Sequence, residues 1–173
     1  SVIICVEATA GQFIASSLLG YSFARLGWRG RDIWFVILLA TMMLPGQVLL
    51  IPHYLIFQWL GWINTYKPLI VPSWLGGSAF FIFMYRQFIA QIPESLIEAA
   101  TIDGHGWLGI WWKIILPLCR PVTAITAVFT FIFVWNDFMT PLIYLHSEDQ
   151  ATLAVALNSF RNQFNGIKDV HLL

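Results

Sequence analysis

Charge is what this sequence has least of. Only 10% of its 173 residues are charged, nine basic and nine acidic, for a formal net charge of zero. Soluble domains carry about 25%. A water-facing domain of this size needs more polar surface than that, and 58% of this chain is hydrophobic, with a mean hydropathy of +0.73. The missing basic surplus argues against nucleic-acid binding. The high apolar content excludes a disordered chain. Cysteine is nearly absent as well, and Cys5 and Cys119 alone cannot make a disulfide framework. No Gly-x-x-x-x-Gly-Lys occurs, so the chain has no P-loop for ATP. His53, His146 and His171 are scattered without zinc-ligand spacing. No cofactor, metal or catalytic group is expected. What remains is a membrane protein.

The few charges cut the chain into apolar runs at 8–24, 33–66, 68–85 and 121–136. A helix needs about 20 residues to cross a bilayer core of roughly 30 Å. Four spans are expected, at about 2–23, 33–51, 69–88 and 122–145, within a single domain. Arg25, Arg29, Arg31, Arg86, Lys113 and Arg120 fall on one side of these spans, against Lys67, Arg161 and Lys168 on the other. Cytoplasmic loops hold the excess of Lys and Arg. That places 25–32 and 87–120 inside, so the chain starts and ends outside. The simplest account is a span missing before Ser1, and the apolar residues 170–173 read as the opening of another. On this topology Cys5 and Cys119 lie at opposite membrane faces, too far apart to bond. Pro45 is expected to kink the second span. The segment 51–66, with Trp59, Trp62, Tyr54 and Tyr66, fits a helix lying at the outer interface.

The cytoplasmic loop 91–120 reads as two short helices. Pro93 suits a first helical position, and Glu94 complements the helix dipole. Gly104 can take the left-handed conformation that ends the first helix. The second, about 106–116, stops at Pro117. Leu96, Ile97 and Ala100 share one side of the first helix. The small side chains of Ala99 and Ala100 would let a partner approach closely, with Glu98 as a single charge on that surface.

In this loop Glu98, Ala99 and Ala100, then Gly104 after three residues, then Ile114, Leu116 and Pro117 after nine more resemble the EAA loop of ABC importer permeases at every signature position. The likeness extends along the chain through SSLLGYSFARL, MMLPGQVLLIP, LGWINTY and VWNDF to the carbohydrate-importer branch, the maltose-type permeases. The resemblance implies an all-α polytopic transmembrane helical bundle with a cytoplasmic coupling loop. It implies multi-pass insertion in the cytoplasmic (inner) membrane of a bacterium or archaeon. It also implies partners: a dimeric ABC ATPase, a second permease subunit and an extracytoplasmic solute-binding protein. The loop residues, with Asp103, would dock on the ATPase, and the chain itself would be no enzyme. A permease for a non-carbohydrate solute and a non-transporting membrane scaffold are the alternatives.

Asp103 and His105 flank Gly104, but no third group orients them as an acid–base pair. Asp137 falls about sixteen residues beyond Pro121, roughly 24 Å along the helix, toward the outer end of the fourth span. An ionisable residue there is a functional candidate, with Trp135 and Asn136 beside it. A hydrated interface cap is the equal alternative. Gln12 and Ser16, with Ser17 or Gln47, suit contacts between helices. Glu7 lies near an interface.

Overall fold

The computed structural model describes residues 1–169, without the side chains of Glu148 and 162–169. The expected apolar turn at 170–173 and His171 lie outside the described residues. Among the described residues the chain is all-α, with no strand.

The longest apolar helix, α1 (Val2–Arg25), is the centre of the bundle. It packs against α4 (Lys67–Trp74), α5 (Ala79–Ala90) and α9 (Arg120–Asn136). Its buried face carries Ala8, Gly11, Ala15, Ser16, Ser17 and Gly20, small residues recurring at helical spacing. Lipid offers no hydrophobic drive between helices, so membrane helices associate where small residues let backbones close. Gly20 shows why: a Cβ there would come within 2.5 Å of the Tyr85 Cβ and 3.0 Å of the Arg86 backbone nitrogen.

Two stretches, Val2–Arg25 and Lys67–Ala90, are each 24 residues long and apolar enough to cross a membrane. Two further stretches qualify only as bent pairs. The first joins α2 (Arg31–Thr41) to α3 (Gly46–Trp59) through a 105° corner. The expected span 33–51 is thus two helices, and Pro45 marks a break rather than a kink. Proline disfavours helical backbone at the residue before it and lacks an N–H of its own. The expected helix 51–66 is helical only through Trp59, as the later part of α3, and is followed by a turn with Gly61 at φ 67° and Asn64 at φ 60°.

The expected span 69–88 is α4 and α5, parted at Gly76 and Gly77, both at positive φ. The expected 122–145 is α9 and the short α10 (Met139–Tyr144), divided at Asp137. The loop between α5 and α9 holds α6 (Glu94–Ile102) and α7 (Trp107–Ile110), which continues through a π-helical turn, Trp111–Ile115, into α8 (Leu116–Leu118). A helix after residue 152, α11 (Leu153–Asp169), ends the described chain.

The main core joins this loop to the bundle. Tyr21 of α1, Tyr85 and Ile89 of α5, Ala100 of α6, Ile110, Trp111 and Ile115, and Cys119 and Val122 form one buried cluster. A second cluster, Phe23, Phe35 and Ile82, fastens α2 to α1 and α5, with the Arg86 guanidinium 4.0 Å above the Phe35 ring.

Candidate functional site

The loop from α6 to α8 is a short ridge with an exposed crest. Pro93 caps α6 in extended conformation, one position earlier than expected, and the helix starts at Glu94. At the other end Gly104 adopts φ +81°. The His105 N–H donates to the Ala100 carbonyl and the Gly104 N–H to the Thr101 carbonyl, both at 3.0 Å. These two bonds are the Schellman arrangement, which satisfies the last carbonyls of a helix and requires a left-handed residue at this position. Around this turn Glu98, Ala99, Asp103 and Gly104 are exposed. Ile102 projects beside them, 86% exposed.

Ala100 does not belong to that surface. It is 4% exposed and sits in the main core, so a partner could approach Ala99 but not both alanines. Leu96, expected on the same side of the helix as Ala100, is 44% exposed. A nine-residue helix over a small contact buries only a narrow stripe. Ile114 and Leu116 are half-buried against the core, and Pro117 is exposed.

The helix runs past Pro117 to Leu118, two residues further than expected. The cause is the π turn, in which the Leu116 N–H bonds the Trp111 carbonyl five residues back. The missing N–H of Pro117 falls where α-helical pairing has already been displaced. Trp111 and Ile115, four residues apart and so on one face, both turn inward. His105 is contacted by Lys113, with Nζ 3.1 Å from Nε2. An ammonium only donates, so the imidazole accepts.

Arg25, at the end of α1, reaches the start of this loop. Its Nη2 donates to the carbonyls of Ile89, at 3.0 Å, and Ile92. Cys119 closes the loop between α8 and α9. It is fully buried and free, and burial pushes its thiol up to about 11. Cys5 is also buried and free.

A second feature is a cavity of about 550 Å³ between α1, α4, α5, α9 and α10. Phe80, Phe81, Phe129 and Phe133 line it together with Gln12, Thr130, Asp137 and Thr140. Asp137 joins α9 to α10, and its Oδ1 accepts from the Thr140 N–H at 3.2 Å. Gln12 accepts from the Ser78 N–H at 3.0 Å and donates to Ser16. It lies against Gly77, where a Cβ would collide with its amide.

The cavity gathers only Asp137 of the four residues singled out for solute or helix contacts. Trp135 stacks on Phe131, with ring centroids 5.6 Å apart. Asn136 donates back to the Ile132 carbonyl at 2.7 Å. Gln47 is exposed in the first turn of α3, and Glu7 is exposed on α1. Sequence reasoning passed over Thr130, which offers no pattern within a β-branched apolar run. It also passed over Asn64 as a tether: its Oδ1 accepts from the N–H groups of His146 and Ser147, at 3.0 and 3.1 Å. The signal was there, since asparagine tolerates left-handed backbone.

Comparison with known proteins agrees with this architecture. The family described as "binding-protein-dependent transport system inner membrane component" matches residues 16–167. The arabinooligosaccharides transport system permease protein AraQ of Halalkalibacterium halodurans is 33% identical over 172 residues, covering 99% of this chain and 61% of AraQ. The osmoprotective compounds uptake permease protein GgtD of Synechocystis is 33% identical over 160 residues, 92% of this chain and 54% of GgtD. The lactose transport system permease protein LacG of Rhizobium radiobacter is 32% identical over 165 residues, 95% of this chain and 60% of LacG. The chain therefore spans little more than half the length of these relatives. Among solved structures, a bacterial ABC transporter involved in the import of the acidic polysaccharide alginate superposes with a TM-score of 0.83 at 26% identity, covering 91% of this chain and 55% of that one. By its sequence over 152 matched positions and by its fold, this chain belongs to the binding-protein-dependent transport system inner membrane components, the permeases of ABC importers.

Proposed function

We propose that the chain carries a sugar or related small solute across the cytoplasmic membrane of a bacterium or archaeon, and that a separate ATPase drives it through the loop at 91–120. In this reading the chain pairs with a second permease subunit to enclose the pathway. An extracytoplasmic solute-binding protein delivers the solute. A dimeric ABC ATPase hydrolyses ATP, which this chain does not do. Closure of the ATPase pushes the loops, and the spans rock between inward and outward openings.

One observation carries the proposal: the exposed crest of α6 stands on the core that holds α1, α5 and α9 together. Glu98, Ala99, Ile102, Asp103 and Gly104 face outward. One turn below, Ala100 packs into the cluster with Tyr21, Tyr85 and Ile89. A force applied to the crest therefore reaches three helices without passing through a flexible joint. Packed interiors transmit displacement because they compress little. An exposed isoleucine beside two acids suits a protein partner rather than water.

The experiment uses the full-length chain in its assembled transporter. Gly104→Val forces a β-branched residue into a left-handed turn, and Glu98→Lys reverses the charge on the crest. Both are expected to leave assembly intact and to uncouple ATP hydrolysis from uptake. Uptake and coupling that survive both changes would refute docking through this loop. The sugar assignment draws on the relatives named for arabinooligosaccharides and lactose. The relative named for osmoprotective compounds keeps a second solute class in view, and competition of uptake by either class decides between them.

A further inference from the structure

We infer that the groove between the end of α1 and α2 holds an anionic phospholipid, with an acyl chain along the groove and the phosphate at Arg29. The lipid belongs to the leaflet that meets the loop at 26–30, the cytoplasmic one by the excess of Lys and Arg on that side. The inference goes beyond the transport reading and needs only that the chain sits in a membrane.

The groove suits hydrocarbon. Leu19 and Phe23 of α1 and Trp34, Ile37 and Leu38 of α2 line about 530 Å³. Residues three and four apart share one face of a helix, so each helix contributes one apolar stripe. Phe23 makes a firm floor, because it is buried and its ring lies 5.5 Å from that of Phe35. Trp34 and Ile37 remain exposed at the side, which is where a lipid enters from the bilayer. Ser22 offers the one hydroxyl in the lining, and its Oγ accepts from the Trp28 Nε1–H at 3.1 Å. A sugar would find almost nothing to bond there, and its hydroxyls would lose water without replacement.

Charge at the mouth decides the class of lipid. The loop 26–30 closes one end of the groove. Trp28 is held there by Ser22, and Gly30 lies against the Trp34 ring, since a Cβ on it would sit 3.6 Å from Cδ1. Arg29 stands between these two anchors, so its backbone is fixed at the mouth. It is exposed and makes no hydrogen bond or ion pair among the described residues. The neighbouring cations are engaged, Arg25 by the Ile89 and Ile92 carbonyls and Arg31 by Asp32 at 3.0 Å. Asp32 is also the only acid in residues 8–93. One unmatched cation therefore stands at the end of an apolar groove, beside two indoles of the kind that anchor at membrane interfaces. Basic residues so placed on the cytoplasmic side attract anionic head groups. A zwitterionic lipid brings its own cation and gains less from Arg29.

The test is fluorescence quenching by brominated lipids, with the full-length chain purified together with its partner subunits into phosphatidylcholine nanodiscs. Ile37→Cys carries a bimane label inside the groove, and Val36→Cys, exposed on the same helix but outside the groove, carries it as the control. Leu38→Cys is the second groove reporter if the first does not assemble, and the unsubstituted protein gives the blank. The probes are brominated phosphatidylglycerol and brominated phosphatidylcholine at the same small mole fraction. At Ile37→Cys the anionic lipid is expected to bind about fivefold more strongly than the zwitterionic one, the effect of one basic residue near an anionic head group. At Val36→Cys no preference is expected. Arg29→Gln is expected to abolish the preference and leave quenching by phosphatidylcholine unchanged. Inorganic phosphate added at constant ionic strength is expected to change nothing. Equal binding of the two lipids at Ile37→Cys, the same preference at Val36→Cys, an undiminished preference in Arg29→Gln, or its loss to free phosphate each overturns the inference. Quenching at Val36→Cys but by neither lipid at the groove reporters would place a protein segment in the groove and overturn it too. Uptake enters none of these readouts, so the transport reading stands or falls separately.

Discussion

Arg25 and Ile89 join the end of one helix to the end of another: Nη2 of Arg25 donates to the Ile89 carbonyl at 3.0 Å, and also to that of Ile92. The last carbonyls of a helix have no partner within it, and a cation there also meets the negative end of the dipole. Arg25 therefore adds a charged donor from α1 to the end of α5, where the Ile89 carbonyl also accepts from the Ile92 N–H at 3.2 Å, at the point where the chain turns into the loop at 91–120. Replacing it by methionine keeps the stem and removes the donors. Loss of charge-assisted bonds is expected to cost about 2 kcal/mol, read as a lowered melting temperature of the purified protein in detergent. Lysine should recover part of it, because it keeps the charge but not the forked geometry.

Gly20 is a packing requirement rather than a conformational one. A methyl group there meets the Tyr85 Cβ at 2.5 Å and the Arg86 backbone, and neither can swing away. Gly20→Ala is expected to destabilise by roughly 1–3 kcal/mol, the usual cost of overpacking. Gly27→Ala has open space and serves as the control in the same melting experiment.

Asn64 makes two separable contributions. Its backbone is left-handed at φ 60°, and its side chain holds His146 and Ser147, with Nδ2 donating to the Ser147 hydroxyl at 2.8 Å. Asn64→Gly keeps the conformation and loses the bonds, whereas Asn64→Ala loses both. Protease cleavage near 145–152 is expected to rise in the order wild type, Gly, Ala. Equal cleavage of all three would mean the tether does not order that segment.

Cys119 is expected to be inert. Its thiol is enclosed and raised to about 11, and only the thiolate attacks. At pH 8 about one molecule in a thousand would be ionised, from the three-unit gap. Maleimide labelling of this residue should remain slow from pH 7 to 9 and become rapid in denaturant. Fast labelling of the folded protein at pH 7 would show the core around Ile115 and Val122 to be open.

The features legible in the sequence are those governed by composition and by neighbours a few residues apart. Nine charges of each sign in 173 residues rule out a water-facing surface, whatever the packing. Pro93 before Glu94, and Gly104 after Ile102, mark the ends of α6 through backbone preferences that act locally. The spacing of Glu98, Ala99, Ala100 and Gly104 carried the resemblance to the family, which the match over residues 16–167 shows.

Tertiary structure decided the rest. The 105° corner before Pro45 depends on where Phe35 finds Phe23 and Ile82; proline marks a break but not its angle. Which alanine faces outward depends on Ala100 meeting the bundle core, and that phase is invisible in a helix of nine residues. Asp137 enters the cavity while Asn136, its neighbour, bonds back to its own helix. Adjacent residues share local propensity, and only the packing of α1 against α4, α5 and α9 separates their fates.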